Sequence, residues 1–202
     1  MKYDEYKYLI LSDLYRYSGD LSLRSFHQYL ISNAGVSFKY IFWMRTCKFL
    51  RECRWLKYSI YPSSSYMLKK YMYKYGIAIA PDMEIGSGFY IGHYGGIVIS
   101  PYSKIGKNCN LSHGVTLGQA NRGSNIGSPI LGDNVYVGPG AKIVGAVRIG
   151  NNVAIGANCV VTKDIPDEAV VVGVPGKVIS HKGSLDYISK TDYHDKILKL
   201  LR

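Results

Sequence analysis

The sequence predicts a mostly-β fold: a parallel β-helix preceded by an α-helical region and followed by a short C-terminal helix. Three observations carry this. First, an aliphatic residue returns at a spacing of six, through Ile79, Ile85 and Ile91, then Ile99, Ile105, Leu111 and Leu117, then Leu131, Val137, Ile143, Ile149, Ile155 and Val161. Second, the next residue is usually Gly, as at Gly86, Gly106, Gly138, Gly150 and Gly156. Third, a small or modest residue often sits four places on, at Cys109, Val135, Ala141, Val147, Val153 and Cys159. A period of six fits neither an α-helix nor an ordinary strand. It suits short parallel strands forming the faces of a prism, with the aliphatics pointing inward and small residues at tight corners.

The first 75 residues lack this repeat and are rich in Tyr, Leu, Lys and Arg. Apolar spacing in Tyr6-Leu9-Ile10-Leu14 and in Ile41-Met44-Phe49-Leu50 predicts amphipathic helices. Ser18-Gly19-Asp20 predicts a turn between the first two, and Tyr61-Pro62-Ser63-Ser64-Ser65 a break before Tyr66–Tyr75. After Pro166 the repeat fades, and Gly173-Val174-Pro175-Gly176 turns the chain away. Leu185, Ile188, Ile197, Leu198, Leu200 and Leu201 suggest a closing helix over the last coil, whose strand edges are otherwise open. The expected organisation is 1–75 helical, 76–180 prism and 181–202 tail.

The formal charge of +11 calls for an acidic partner. No compact nucleic-acid motif is present, so nucleic acid is set aside in favour of a phosphorylated cofactor or a membrane surface. Residues 39–74 interleave Lys39, Arg45, Lys48, Arg51, Arg54 and Lys57 with Phe42, Trp43, Phe49 and Trp55. Two readings stand: helices packed on neighbouring subunits with a solvated basic face, or peripheral contact with anionic lipid. The four cysteines read as reduced core thiols. With no signal peptide and no spanning apolar run, a cytoplasmic protein is expected, at most at the inner face of the cell membrane.

The repeat breaks twice. Ile91 to Ile99 is eight residues, and Leu117 to Leu131 is fourteen, which extrudes a loop. His93 follows Ile91 by two residues and His113 follows Leu111 by two. Ile91 and Leu111 are one coil apart, so both histidines should share a corner on adjacent coils, ~4.8 Å apart along the ladder. Stacked histidines beside Gly-rich turns and a loop make a candidate active site. The pair has no third ligand nearby in sequence, so no metal is expected.

The stretches Ile91-Gly92-His93-Tyr94-Gly95-Gly96-Ile97-Val98-Ile99 and Leu111-Ser112-His113-Gly114-Val115-Thr116-Leu117-Gly118 resemble the serine O-acetyltransferases. Ile165-Pro166 and Val172-Gly173-Val174-Pro175-Gly176-Lys177-Val178-Ile179 fit the same group, and the likeness covers roughly residues 77–180. It is as close to the capsule and colanic-acid acetyltransferases. The resemblance implies a left-handed coil, acetyl-CoA as donor, a homotrimer and active sites between adjacent prisms. It casts His93 as general base, with His113 as its partner in that role or as a structural support. It also implies that the Gly118 amide lies near the thioester. CoA is expected along the later coils, against Gly138, Ala141, Gly156 and Ala157, with Lys163 and Lys177 meeting its phosphates. Asn121 and Arg122 would serve the acceptor from the loop.

The departures shape the acceptor expected. Serine acetyltransferases place an aspartate before the catalytic histidine and another about fifteen residues earlier, where this chain has Gly92 and Ala78. Their Arg-His pair before the re-entry proline is replaced by Gly127-Ser128 before Pro129. On these grounds the acceptor is expected to be a glycan: a hydroxyl of a sugar or polysaccharide precursor. Serine is the alternative, and a non-catalytic β-helix scaffold is a second.

Overall fold

The computed structural model describes residues 1–32, 35–53 and 55–201. Five helices come first: α1 (Tyr3–Ser18), α2 (Leu23–Ile31), α3 (Val36–Glu52), α4 (Leu56–Ser59) and α5 (Tyr61–Tyr75). Gly19 ends α1 with φ 73°, a left-handed cap that glycine adopts without strain. The turn expected at Ser18–Asp20 is therefore present. The break near Tyr61 falls one residue earlier than expected, at Ile60. Pro62 sits in the first turn of α5, where its missing N–H costs nothing, and Ser63–Ser65 continue the helix.

The chain then winds as a left-handed parallel β-helix with three faces. The first face holds β1 (Ile77–Ala78), β4 (Ile97–Ile99), β7 (Thr116–Gly118), β10 (Lys142–Val144) and β13 (Val160–Val161). The second holds β2 (Glu84–Ile85), β5 (Lys104–Ile105), β8 (Ile130–Leu131) and β11 (Arg148–Ile149). The third holds β3 (Tyr90–Ile91), β6 (Asn110–Leu111), β9 (Tyr136–Val137), β12 (Ala154–Ile155), β14 (Val170–Val172) and β15 (Lys177–Ser180). Each coil crosses all three. Every aliphatic of the six-residue repeat is buried, and the six small corner residues are fully so.

One corner carries a ladder of amides. Asn108 Nδ2 donates to Asn134 Oδ1 (3.0 Å), Asn134 Nδ2 to Asn152 Oδ1 (2.8 Å) and Asn152 Nδ2 to Glu168 Oε1 (2.6 Å). The three asparagines have φ of 55° to 56°, the left-handed region that asparagine tolerates best after glycine, and Glu168 ends the ladder at φ 61°.

The first coil has no neighbour below it, and side chains of α1 and α3 take that place. Tyr40 Oη donates to Ile79 O and accepts from Ile79 N, and Tyr17 Oη does the same at Ile91. Ser12 Oγ accepts from Gly88 N and Asp13 Oδ1 from Phe89 N. Arg45 donates to the carbonyls of Ile85 (2.7 Å) and Gly86 (2.6 Å), and Lys48 to that of Met83 (2.9 Å). An unpaired strand edge is thus closed by side chains rather than by another strand.

Part of the basic segment is engaged inside the protein. Lys39 is buried and donates to Ile31 O, Arg45 and Lys48 cap the prism, and Arg51 pairs with Asp82. Arg45 and Lys48 turn inward because carbonyls of the first coil need donors, Lys39 serves the last carbonyl of α2, and Arg51 stays exposed beside Asp82. Arg54 lies outside the described residues. Among the described residues no helix is long and apolar enough to cross a membrane.

The tail also differs from expectation. β15 turns back antiparallel on β14 and covers that edge of the last coil. The chain then returns along the third face, where Tyr187 stacks on Tyr136 (ring centroids 4.6 Å) and its carbonyl accepts from Asn110 Nδ2. The closing helix α6 (His194–Leu201) docks on α1 beside the first coil, through Tyr15, Tyr193 and Ile197. Tyr193 Oη donates to Asn108 Oδ1, joining the tail to the amide ladder.

Candidate functional site

The ladder pairs Ile91 with Leu111, as the one-coil spacing requires, and the same register brings His93 and His113 together. Their rings meet edge to face, with centroids 6.0 Å apart and planes at 72°. Both are exposed at the corner between the third and first faces. The equivalent positions on the next two coils are Pro139 and Ala157, following Val137-Gly138 and Ile155-Gly156. The column above the histidines therefore bears no long side chain, leaving a shallow strip along later coils.

Below His93 lies a cleft of about 330 Å³ between the helices and the prism. Tyr17, Tyr29, Tyr90 and Tyr94 line it with Val36 and Ser37, and Gly92 and His93 complete it. The Tyr17 ring lies 4.5 Å from Tyr90 and 5.9 Å from Tyr29, centroid to centroid. Burial pushes the Tyr17 hydroxyl well above the usual phenol range, and burial raises Tyr90 as well, so both remain neutral. The Arg16 guanidinium lies 5.9 Å from the Tyr90 ring centroid. Tyr90 and Tyr94 flank His93 in sequence and were findable by proximity. Tyr17, Tyr29, Val36 and Ser37 reach the site only through tertiary packing, which no local pattern encodes.

The other candidates divide. Gly156 and Ala157 belong to the histidine corner, and Lys177, exposed at the start of β15, lies just beyond it. Gly138 and Ala141 sit on the same corner but are buried. A Cβ on Gly138 would meet Ile155 O at 2.8 Å, so coil stacking alone requires glycine there, and Ala141 fills the interior. They offer a cofactor no side-chain surface. Lys163 is exposed at the corner between the first and second faces, one face away from the histidines.

Gly118 ends β7 at that same distant corner, paired with Val144. The loop closes through Ala120 and Gly127, each donating its N–H to the other's carbonyl (2.9 and 3.0 Å). It folds over the later coils, where Asn125 O accepts from Ala146 N and Asn125 Nδ2 donates to Thr162 O. Asn121 and Arg122 are exposed at its tip, with Asn121 Oδ1 accepting from Gln119 Nε2. Within one chain the first face separates Gly118, Asn121 and Arg122 from the histidine pair. Among the described residues no group of three or more His, Cys, Asp or Glu is placed to hold a metal ion.

Residues 128–163 match the family of bacterial transferase hexapeptide repeats (six repeats). Over 130 residues the chain is 39% identical to the serine acetyltransferase of Synechococcus elongatus, covering 62% of this chain and 53% of that one. A crystal structure of Brucella abortus serine acetyltransferase with coenzyme A superposes with a TM-score of 0.71 at 26% identity, over 90% of this chain and 70% of that one. The Neisseria gonorrhoeae enzyme in complex with serine gives 0.64 at 28% identity, over 87% and 69%. The chain spans about half the length of the curated relatives it matches.

These findings overturn the sugar or polysaccharide acceptor, because the sequence relatives and the solved structures alike are serine acetyltransferases. That expectation set the carboxylates missing at Gly92 and Ala78, and Gly127-Ser128 in place of an Arg-His pair, above the likeness of the prism. It could not weigh the tyrosine-walled cleft beside His93. Serine, then the alternative, is the acceptor the relatives favour.

Proposed function

We propose that this chain is an acetyl-CoA-dependent serine O-acetyltransferase. In this reading the prism over residues 76–180 is catalytic, residues 1–75 form its cap and the acceptor wall, and residues 181–202 form a tail. The observation that carries it is the His93–His113 pair, set between an acceptor-sized cleft and an open strip of later coils. Similarity to serine acetyltransferases across the prism supports the choice of acceptor.

Serine sits in the cleft with its hydroxyl toward His93. No carboxylate lines the cleft among the described residues, so its ammonium meets tyrosine faces, an attraction worth ~0.5–1 kcal/mol at exposed sites. The acetyl-CoA arm lies along the strip past Pro139, Gly156 and Ala157, with Lys177 near its phosphates. His93 takes the hydroxyl proton as the serine oxygen attacks the thioester carbonyl. The C–S bond then breaks and the thiolate of CoA leaves, receiving the proton from the imidazolium. General-base help of this kind is typically worth ~10²–10⁴-fold.

The working unit in this reading is a homotrimer. The third face is covered by α1 and the tail, and the second bears Glu84, Lys104 and Arg148. The first face, with Val98 exposed and Val144 and Val160 half-buried, is left for a neighbouring copy. Packing there brings Gly118, Asn121 and Arg122 of one copy toward the histidines of the next, and the Gly118 amide toward the developing oxyanion.

The test is CoA release from acetyl-CoA with L-serine, for the native chain and His93→Ala, with a panel of other hydroxyl compounds alongside. Turnover of serine that falls at least a hundredfold in the variant is expected. Turnover of another hydroxyl compound with none of serine overturns the acceptor. CoA release unaffected by His93→Ala overturns the base.

A further inference from the structure

Two tyrosines close the open edge of the prism in the same way. Tyr40 Oη donates to Ile79 O (2.9 Å) and accepts from Ile79 N (3.0 Å). Tyr17 Oη donates to Ile91 O (3.0 Å) and accepts from Ile91 N (2.9 Å). Each hydroxyl supplies the donor and the acceptor that a preceding strand would have given. The two contacts differ in where the chain goes next. Ile79 leads into a corner remote from the histidines, whereas Ile91 stands two residues before His93.

Beyond Ile91 the backbone has few restraints of its own. Gly92, Gly95 (φ 109°) and Gly96 (φ 64°) surround His93 in conformations open to little but glycine at the last two positions. On the coil above, Gly92 N donates to Leu111 O (2.9 Å), and Gly95 O accepts from Gly114 N (2.7 Å). On the open side, β3 is the edge strand of its face and has the Tyr17 hydroxyl in place of a neighbour. Among the described residues the His93 ring has His113 as its aromatic neighbour and no hydrogen-bond partner. Where the imidazole points is therefore set by where its backbone is held. Tyr17 is itself wedged among Tyr29, Phe38 and Tyr90, so its hydroxyl has little freedom to follow a moving strand.

We propose that Tyr17 is a positioning residue for His93, fixing from the open edge the strand from which the imidazole projects. The role rests on His93 being the general base. It differs from a carboxylate that grips the imidazole directly, because the hydroxyl acts on the backbone two residues upstream. Misplacement of a catalytic group by about 1 Å can cost on the order of a hundredfold in rate.

Tyr17→Phe and Tyr40→Phe form a matched pair, each removing one oxygen from an equivalent pair of bonds. Amide hydrogen exchange, read without substrate, should quicken at Ile91 and Gly92 in Tyr17→Phe and stay unchanged there in Tyr40→Phe. Both variants should lose thermal stability to a similar extent. With acetyl-CoA and serine, kcat should fall about tenfold or more in Tyr17→Phe, with KM for acetyl-CoA unchanged, while Tyr40→Phe keeps native kcat. Equal loss of kcat in both variants overturns the proposal, since it marks a general effect of stability. A raised KM for serine with kcat intact also overturns it, making Tyr17 a wall of the cleft only. If the native chain turns over no serine, the catalytic reading fails in that assay. The exchange measurement then still decides, and unaltered exchange at Ile91 overturns the proposal.

Discussion

Asp13 of α1 and Arg45 of α3 meet inside the protein, carboxylate to Nε at 2.9 Å, with side chains 0% and 2% exposed. The same carboxylate accepts from Phe89 N, and the same guanidinium donates to Ile85 O and Gly86 O. One ion pair thus pins two helices to the first coil. Asp13→Ala leaves a buried guanidinium without its counterion and should cost about 3–5 kcal/mol in urea unfolding. Arg51→Ala, which opens the exposed pair with Asp82, should cost at most about 1 kcal/mol. Equal costs would show that burial of the first pair does not matter.

Gly92→Asp should be tolerated. A Cβ there meets Tyr90 Cε1 at 3.5 Å and Leu111 O at 3.9 Å, both ordinary contacts. The substitution restores the carboxylate that the resembled enzymes carry beside the histidine. The expected outcome is native thermal stability with a KM for serine lowered severalfold. Gly106→Ala is the contrast: its Cβ would lie 2.4 Å from Gly132 O, so marked destabilisation is expected.

Tyr94 follows His93 and is half exposed at the cleft mouth. Replacing its ring by leucine keeps apolar bulk and removes the π face. Tyr94→Leu should raise KM for serine about two- to fivefold, with KM for acetyl-CoA unchanged. An unchanged KM for serine would place the ammonium elsewhere.

The thiols should respond to burial. Cys47, Cys109 and Cys159 are buried and Cys53 is half-exposed, all four free. Burial pushes Cys47 up to about 11, Cys109 up to about 12, and Cys159 also upward. At pH 8 iodoacetamide should therefore label Cys53 in the native protein and all four after unfolding. Below the ordinary thiol value of 9.0 these groups are protonated whether the chain is folded or not. Above it the unfolded chain releases protons that the folded one keeps, so stability should fall as pH rises from about 9 toward 12. Cys109→Ala should flatten that decline relative to the native chain at pH 8 and 10.

The prism was legible because its periodicity is local. Each interior aliphatic is one hexapeptide from the next, so Ile91 over Leu111, and with it His93 beside His113, came from counting. The cap was not legible. Arg45 and Lys48 look in sequence like part of a solvated basic stripe, and only the unpaired carbonyls of a distant coil explain why they turn inward. The walls of the cleft failed for the same reason, since Tyr17 and Tyr29 are some seventy residues from His93 in the chain. The loop was read correctly as extruded. Its direction depends on Asn125 reaching Ala146 and Thr162, which spacing alone does not specify.

The docking of α6 on α1 orders events at the ribosome. Synthesis delivers α1 before the prism, yet its Tyr15 face is covered by Tyr193 and Ile197, which follow the prism. Until those residues emerge, a nascent protein with all its coils wound still displays an unfinished aromatic surface beside the coil that bears His93. A helix made before the prism is thus completed only after it, and a chain stalled short of α6 would announce itself there to the quality-control machinery.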